Sequence, residues 1–410
     1  MTTRQIPARG PFLPWFKDQL FMGKTFGDYL RSLLTPFNLI AAVILAVGIP
    51  VAVARFAQGL AATTNLTDIN PWGLWIGFDV MSGVALAAGG YVVGAAVYIF
   101  GMRQYGPIVR PAILTGFLGY TFVVIGLLFD LGRPWRLPFP IFVTVGGVAS
   151  VLFLVAWHVL LYLTCQFVEF APALFEWLGL KRIRQLAVKL TIGATVLGVV
   201  LSTLHQSALG ALFLLMPGKV HPLWYSPLLP LFFFVTSIIA GLSMVIVESM
   251  LSHRVFNGQS GPEHTRRLEG LTLGLGKAGA IVLFVYFWLK IIGVMHGDNW
   301  SLLNTNLGYW FLVEILGFVL LPCFLFLWAA NKRNATAVRL TAMLTVIGVV
   351  INRLNVSIIS FNWNAPERYV PKWTEIAITL AIVTVGLLAF RWIVNRMPIL
   401  YEHPDYPAEH

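Results

Sequence analysis

Ten apolar stretches, each long enough to cross a lipid bilayer, decide what this chain can fold into. A spanning helix needs about twenty mostly apolar residues, because its backbone must be satisfied internally while its side chains meet hydrocarbon. The stretches fall near 38–57, 72–100, 108–130, 142–168, 186–216, 223–250, 268–296, 307–329, 336–358 and 372–396. Composition agrees, with 58% of the 410 residues hydrophobic and 11% charged, and a soluble core of this size is not built so apolar. The fold class is therefore all-α and polytopic. A basic segment at 1–37 precedes a ten-helix membrane domain over 38–396 and a tail at 397–410. Helices 2–5 and 6–9 are expected as two four-helix bundles between two peripheral helices, although no internal repeat marks them.

The excess of 28 Lys and Arg over 17 acids would suggest nucleic acid on a soluble protein, but placement explains it here. With the N-terminus in the cytoplasm, the cytoplasmic segments hold 19 of the basic residues. The opposite segments hold 6: Arg55, Arg133, Arg136, Lys219, Arg368 and Lys372. Lys277, Lys290 and Arg353 remain inside helices. Basic residues stay on the cytoplasmic side during insertion, so both termini are expected there, and no nucleic-acid partner is implied. No cleavable signal pattern opens the chain, and 26–37 reads as an interfacial helix or a linker. Cys165 and Cys323 stand singly in apolar runs without CxxC spacing, which supports neither a disulfide framework nor a metal site. Helix 2 carries Gly73, Gly77, Gly83, Gly89, Gly90 and Gly94, and helix 7 carries Gly270, Gly274, Gly276 and Gly279. Such small-residue faces allow close helix packing.

The chemistry centres on 205–230, HQSALGALFLLMPGKVHPLWYSPLLP. A histidine and a glutamine lie deep in an apolar helix, a Pro-Gly exit follows, and Lys219 and His221 occupy the loop before Trp224 and Tyr225 open the next helix. An ionisable side chain in hydrocarbon is costly and reads as functional, whereas interfacial aromatics also arise as an ordinary belt. At ~1.5 Å per residue, Asp79 lies roughly 10 Å below the periplasmic start of helix 2 and His205 about 16 Å below the periplasmic end of helix 5. Glu314, Lys290 and Arg353 fall in the same half, where structural ion pairing is an alternative to function. Asp130 and Glu375 sit near helix ends. His158, Lys277 and Glu248 fall on the cytoplasmic side, so a titratable chain from Glu248 through Lys277 and His158 toward Asp79 could carry protons, with Glu314 and Arg353 as further members; ordinary structural contacts are the other reading. A haem between two helix histidines is not expected, because His158 and His205 differ in depth by about 13 Å on this placement.

The motifs PWGLWIGFD (71–79), DLGRPWR (130–136), EFAPALFE (169–176), HQSALG (205–210) and HPLW (221–224) resemble the NrfD-like membrane quinone-interacting family. The likeness is greatest to its HybB-type branch, from periplasmic hydrogenases, and to the QrcD-type subunit of the quinone reductase complex of sulfate reducers. It runs in order from about residue 60 to the last helix. The resemblance implies a bacterial inner-membrane subunit with no haem, iron–sulfur cluster or other redox cofactor of its own. It would bind menaquinone near the periplasmic face beneath an iron–sulfur protein, in a complex with a multihaem cytochrome c, a molybdopterin-type subunit or a hydrogenase subunit. On matching positions, Trp72, Asp79, His205, Gln206 and Trp224 form the quinone neighbourhood, with Tyr225 beside them. Of these, His205 is suited to hydrogen-bond one carbonyl and relay a proton, Asp79 is the acid nearby, and Trp72 and Trp224 would wall the ring. One departure stands out: Leu154 occupies the place of a glutamate in the hydrogenase branch, with His158 one turn away. That favours the quinone-reductase branch.

Two functions of different classes follow. The first is a quinone-reactive electron-transfer subunit, with or without coupling to proton movement from the cytoplasm. The second is a secondary transporter with a mid-membrane site, which broken helices in matched halves would favour. No helix is visibly interrupted by proline at mid-depth, and 205–224 sits toward one face, so the sequence supports the first.

Overall fold

The computed structural model describes residues 12–139, 151–256, 262–401 and 406. Ten helices are long and apolar enough to span a bilayer: α1 (Pro36–Gln58), α2 (Trp75–Ile99), α3 (Arg103–Asp130), α4 (Phe153–Leu178), α5 (Lys181–Leu214), α6 (Leu229–Val255), α7 (Arg267–His296), α8 (Asn306–Asn331), α9 (Ala335–Ile359) and α10 (Trp373–Val394). The protein is an all-α polytopic membrane protein, and the described residues hold no strand beyond one bridge between Val220 and Phe361.

Neighbours in sequence pack as neighbours in space within α2–α5 and within α6–α9. The two groups meet where α2 and α5 lie on α6 and where α2 lies on α9. α1 packs on α10, which in turn leans on α3. α2 is the hub and the most buried span, while α1 is the least. Its glycines show why: a Cβ would meet Ser357 of α9 at Gly77, Val123 of α3 at Gly83, Val245 of α6 at Gly89 and Gln166 of α4 at Gly90. Four helices can crowd one helix only where it lacks side chains.

The first and last described segments, 12–32 and 395–401, lie on one face, the terminal face. Arg396 donates to Leu20 O at 2.8 Å and to the Tyr29 hydroxyl at 2.9 Å, and Arg110 donates to Pro398 O at 2.9 Å. A short helix, Phe26–Ser32, lies there with Phe26, Leu30 and Leu34 exposed, in part of the stretch read as interfacial. The other face carries the loop 215–228 and is called the His221 face.

Two boundaries differ from the sequence reading with consequences for the site. α4 ends at Leu178, ten residues past the expected end, and its expected start at 142–150 lies outside the described residues. Glu169 and Glu176, which read as loop residues, are inside α4 because they have partners. Glu169 accepts from Thr195 at 2.6 Å, and Glu176 pairs with Arg110 and Arg184 at 2.8 and 2.9 Å. α6 begins at Leu229, so Trp224 and Tyr225 belong to a loop. That loop is pinned by His221 N to Ser360 O at 2.9 Å and by Asn362 N to Lys219 O at 2.6 Å.

Three spans are also less regular than their unbroken hydrophobicity suggests. Wide, π-type turns occupy Trp75–Ser82 and Ala95–Ile99 of α2, Val313–Leu320 of α8 and Asn355–Ile359 of α9. α2 also breaks at Ala87 and Ala88, where Ala88 N bonds Ala85 O and leaves Val84 O without its usual partner. Such turns need no proline and collect at functional positions, and Asp79, Glu314 and Asn355 each sit on one. By order in the two bundles α2 corresponds to α6, α8 to α4 and α9 to α5, so the irregular helices are not matched in the manner of a transporter repeat.

Candidate functional site

His205 lies midway along α5, fully buried, with its ring between Tyr120 of α3 and Tyr162 of α4 at centroid distances of 5.3 and 5.4 Å. Its Nδ1 is 2.8 Å from Leu201 O. A carbonyl only accepts, so Nδ1 carries the hydrogen; in the neutral ring Nε2 then accepts from the Tyr120 hydroxyl, 2.5 Å away. Gln206 donates to the freed Val84 O at 3.0 Å and reaches the Tyr120 hydroxyl at 3.4 Å. The break in α2 is thus matched to the glutamine beside the histidine.

Two turns nearer the His221 face, Phe213 meets Trp72 edge-on at 5.5 Å, and Trp72 stacks on Phe361 at 5.3 Å with 18° between the planes. This aromatic group stands about 12 Å along α5 from His205, with Leu209 and Leu212 buried between. A group of packed rings above a buried polar pair has the chemistry to wall a flat, largely apolar ligand with one or two carbonyls.

Asp79 is close but faces elsewhere. Its Oδ2 accepts from Thr379 of α10 at 2.8 Å and its Cβ packs where Gly126 of α3 leaves room. On α3, Gly126 lies six residues from Tyr120, about 9 Å, so Asp79 shares no contact with His205. Asp130 and Glu375 sit one turn from the Gly126 and Thr379 positions. Arg55, read as a loop residue, is buried in the last turn of α1 and caps α3 through Phe129 O at 2.7 Å and Leu131 O at 2.6 Å.

Trp224 is fully buried and turned to the second bundle, where Nε1 donates to Glu314 Oε2 at 2.7 Å. Tyr225 lines a cavity of about 430 Å³ at the His221 face, with His296 and Trp363 opposite. His221 stacks edge-on against Trp363 at 4.8 Å, and burial pulls its pKa below the usual histidine value. Glu314 further accepts from Asn352 at 2.6 Å and from Asn355. Arg353 donates to Asn352, Phe233 O and Thr236 and lies 3.9 Å from the Phe233 ring centroid. Lys290 sits over Phe232 and Phe311, 5.2 and 4.9 Å from the centroids. Direct ion pairs were the simple expectation for these three charges. Among the described residues they are instead held by amides, carbonyls and ring faces.

The residues expected on the cytoplasmic side separate. Cys165 faces Gly198 and Glu169 bonds Thr195, and continuing that antiparallel register up the α4–α5 hairpin brings position 158 level with 205. His158 stands about 30 Å from the end of α4, so the expected 13 Å offset from His205 does not hold, because α4 ends later than it reads. Lys277 is exposed on the outer face of α7, away from Glu248 and His158. Glu248 is buried and lines a small cavity, about 30 Å³, with Ser252 and His253 near the terminal face. Leu154 is 37% exposed.

His158 and His205 thus stand at one level. Both ring nitrogens of His205 are engaged and tyrosines flank its ring. The described residues also bring no three metal-ligating side chains together. Sequence reasoning missed Tyr120, Tyr162, Gln166, Asn352 and Asn355. The available signal was a tyrosine or amide at mid-span, away from the aromatic belts.

Comparison with known proteins agrees with this architecture. Residues 62–362 match the family described as Polysulphide reductase, NrfD. The chain is 51% identical over 382 residues to a protein of Nitratidesulfovibrio vulgaris, covering 93% of this chain and 98% of that one. It is 34% identical to the probable Ni/Fe-hydrogenase 2 b-type cytochrome subunit of Escherichia coli, over 85% of this chain and 88% of the other. It is 25% identical to the integral membrane subunit of menaquinone reductase of N. vulgaris, over 87% and 90%. Identity is thus higher to the hydrogenase-linked subunit, and Leu154 does not sort the chain toward the other branch. With the family match spanning most of ten membrane helices, this chain belongs to the NrfD family of integral membrane subunits.

Proposed function

We propose that this chain is the menaquinone-reactive membrane subunit of a redox complex on the periplasmic side of a bacterial inner membrane. It passes electrons between an iron–sulfur partner subunit and the quinone pool. The observation that carries this reading is the buried His205–Tyr120 pair, braced by Tyr162 and Gln206, beneath the Trp72–Phe361 stack. The name of the menaquinone reductase relative supports the choice of ligand.

Reduction of a quinone takes two electrons and two protons. The quinone supplies the redox chemistry, and the protein binds it, orients it and moves protons. Trp72 and Phe361 wall the way in from the His221 face. The Tyr120 hydroxyl, backed by His205, presents a proton to the carbonyl nearer the bundle centre, while Gln206 fixes the hydroxyl. When His205 takes up a proton, its Nε2–H donates to the Tyr120 oxygen while the Tyr120 hydroxyl hydrogen passes to the carbonyl and the ring returns to its neutral form, so the proton reaches the ligand through Tyr120 rather than directly. Asp79, on its wide turn, is a second acid on the α10 side. Trp224 and Tyr225 shape the loop on which the partner sits. The iron–sulfur subunit docks on the His221 face, and a multihaem cytochrome c, molybdopterin-type or hydrogenase subunit completes the complex. Both termini are cytoplasmic, the chain holds no haem, and the protons are drawn from the cytoplasm.

The test is His205→Ala in the intact complex. Subunits should still co-purify while reduction of menaquinone analogues is lost. Wild-type turnover in that variant ends the assignment.

A further inference from the structure

The polar groups between the terminal face and His205 form a column whose members have oxygens left over. The cavity bounded by Glu248, Ser252 and His253 opens between α3, α6 and α7 under Leu400 of the C-terminal segment. Glu248 and the Thr115 hydroxyl of α3 face each other within hydrogen-bonding reach, both buried. The next residue on α3 is Gly116, against whose Cα lies the Gln166 amide: a Cβ there would sit 2.4 Å from Nε2. Gly90 of α2 leaves room for the same amide, its Cβ falling 3.1 Å away. Gln166 donates to the Tyr162 hydroxyl at 2.8 Å, and its Oε1 is unpartnered. Tyr162 packs on Tyr120 and His205, and the buried Ser202 hydroxyl lies within hydrogen-bonding reach of both tyrosine hydroxyls. Gln206 Oε1, at the far end, is unpartnered too.

Buried polar atoms are nearly always satisfied, and each exception calls for an explanation. Here the amide oxygens of Gln166 and Gln206 are unpartnered, and among the described residues the oxygens of Glu248, Thr115 and Ser202 meet only one another or the Tyr120 and Tyr162 hydroxyls, in order from one cavity to one histidine. A structural role explains them poorly, since a fully satisfied network would be cheaper in hydrocarbon. Two helices also forgo side chains at Gly90 and Gly116 around a single amide. Oxygens with spare lone pairs, joined by hydroxyls that can donate and accept, are what successive proton hand-overs require.

We propose that this column is the proton entry of the protein: Glu248 takes protons at the terminal face, and Thr115, Gln166, Tyr162 and Ser202, with intervening water, pass them to the His205–Tyr120 pair. The route rests on the quinone reading above and replaces Lys277, which faces outward, with Gln166. One proton leaves Glu248 for each proton delivered to a quinone carbonyl, and the electrons arrive separately from the partner subunit. Gln166 and Glu248 act on the ligand only through other groups and are positioning and relay residues.

The experiment uses the intact complex in liposomes, with a pH dye in the compartment facing the terminal face and a menaquinone analogue as acceptor. In wild type, that compartment should lose protons as quinone is reduced. Glu248→Gln and Gln166→Leu should each slow reduction by about tenfold or more and raise the solvent deuterium isotope effect, with quinone affinity unchanged. Gly116→Ala, whose methyl group displaces the Gln166 amide, should reproduce the Gln166→Leu effect in part. Glu169→Gln, a buried carboxyl off the column, should leave the rate and the proton source as in wild type. If Glu248→Gln does not assemble, Gln166→Leu carries the same test. Full-speed reduction with terminal-side proton loss in both variants overturns the column, as does a loss confined to Glu169→Gln or proton uptake from the opposite side. A wild-type complex that fails to reduce quinone is a different outcome and overturns the quinone reading itself.

Discussion

Replacing Glu314 by alanine should destabilise the second bundle, whereas glutamine should be tolerated. The carboxyl group is 1% exposed and accepts from Trp224, Asn352 and Asn355. Each buried donor stranded by alanine costs about 1–3 kcal/mol. Asn352 keeps a 3.3 Å contact with the Tyr286 hydroxyl, so roughly two full penalties remain, or about 2–6 kcal/mol. Glu314 is also the acid within electrostatic reach of Lys290 and Arg353, and uncovering two buried cations adds to that cost. Glutamine can keep its oxygen toward Trp224 and Asn355. Its NH₂ then meets the Asn352 amide, which cannot flip without losing its bond from Arg353, so about one hydrogen bond is lost, roughly 1–2 kcal/mol. The assay is reversible unfolding of the purified protein in mixed micelles, with quinone turnover of the complex measured in parallel. The expected order is wild type, then glutamine, then alanine, with glutamine retaining turnover and proton uptake. An alanine variant within about 1 kcal/mol of wild type would refute the network argument. A stable glutamine variant that fails to take up protons would refute it differently, by making Glu314 a proton carrier.

Two further outcomes can be checked directly. Reporter fusions placed after α1, α3, α5, α7 and α9 should report the periplasm and both termini the cytoplasm; a cytoplasmic signal from 217–222 would reverse the orientation and the side from which the column fills. The isolated chain should show no Soret band, and a stoichiometric b-type spectrum would mean that His205 releases Leu201 or Tyr120 to bind iron.

Hydropathy made all ten helices legible, since nothing but a helix bundle can satisfy so many long apolar runs. Depth was less legible. Glu169 and Glu176 read as the end of α4 because carboxylates normally mark water, and only Thr195, Arg110 and Arg184 show why they belong inside. That single boundary misplaced His158 by about half the membrane. Tyr120 and Tyr162 were hidden for a related reason: a tyrosine in an apolar run looks like packing until its hydroxyl is seen against an imidazole. The break in α2 left no proline to find, and its purpose appears only in the Gln206 bond to Val84 O. Of the residues singled out in the sequence, His205 and Gln206 meet at Tyr120 and Trp72 lies two turns above them, while Trp224 and Tyr225 turn toward the second bundle and the outer cavity.

The two bundles differ in how they carry polarity. In α6–α9 the charges are tied down: Glu314 receives three donors, Arg353 gives three hydrogen bonds, and Lys290 lies between two rings. Moving a proton there would break several contacts at once, which low dielectric makes costly. In α2–α5 the corresponding depth holds hydroxyls, amides and the imidazoles of His158 and His205, with the Gln166 and Gln206 oxygens unpartnered. Shifting a proton among such groups exchanges one hydrogen bond for another and creates no lasting buried charge. The second bundle is therefore suited to holding the loop at the His221 face in place, through Trp224, while the first changes its protonation beneath it. That division gives a reason for fusing two four-helix units in one chain, with the hub helix α2 touching both.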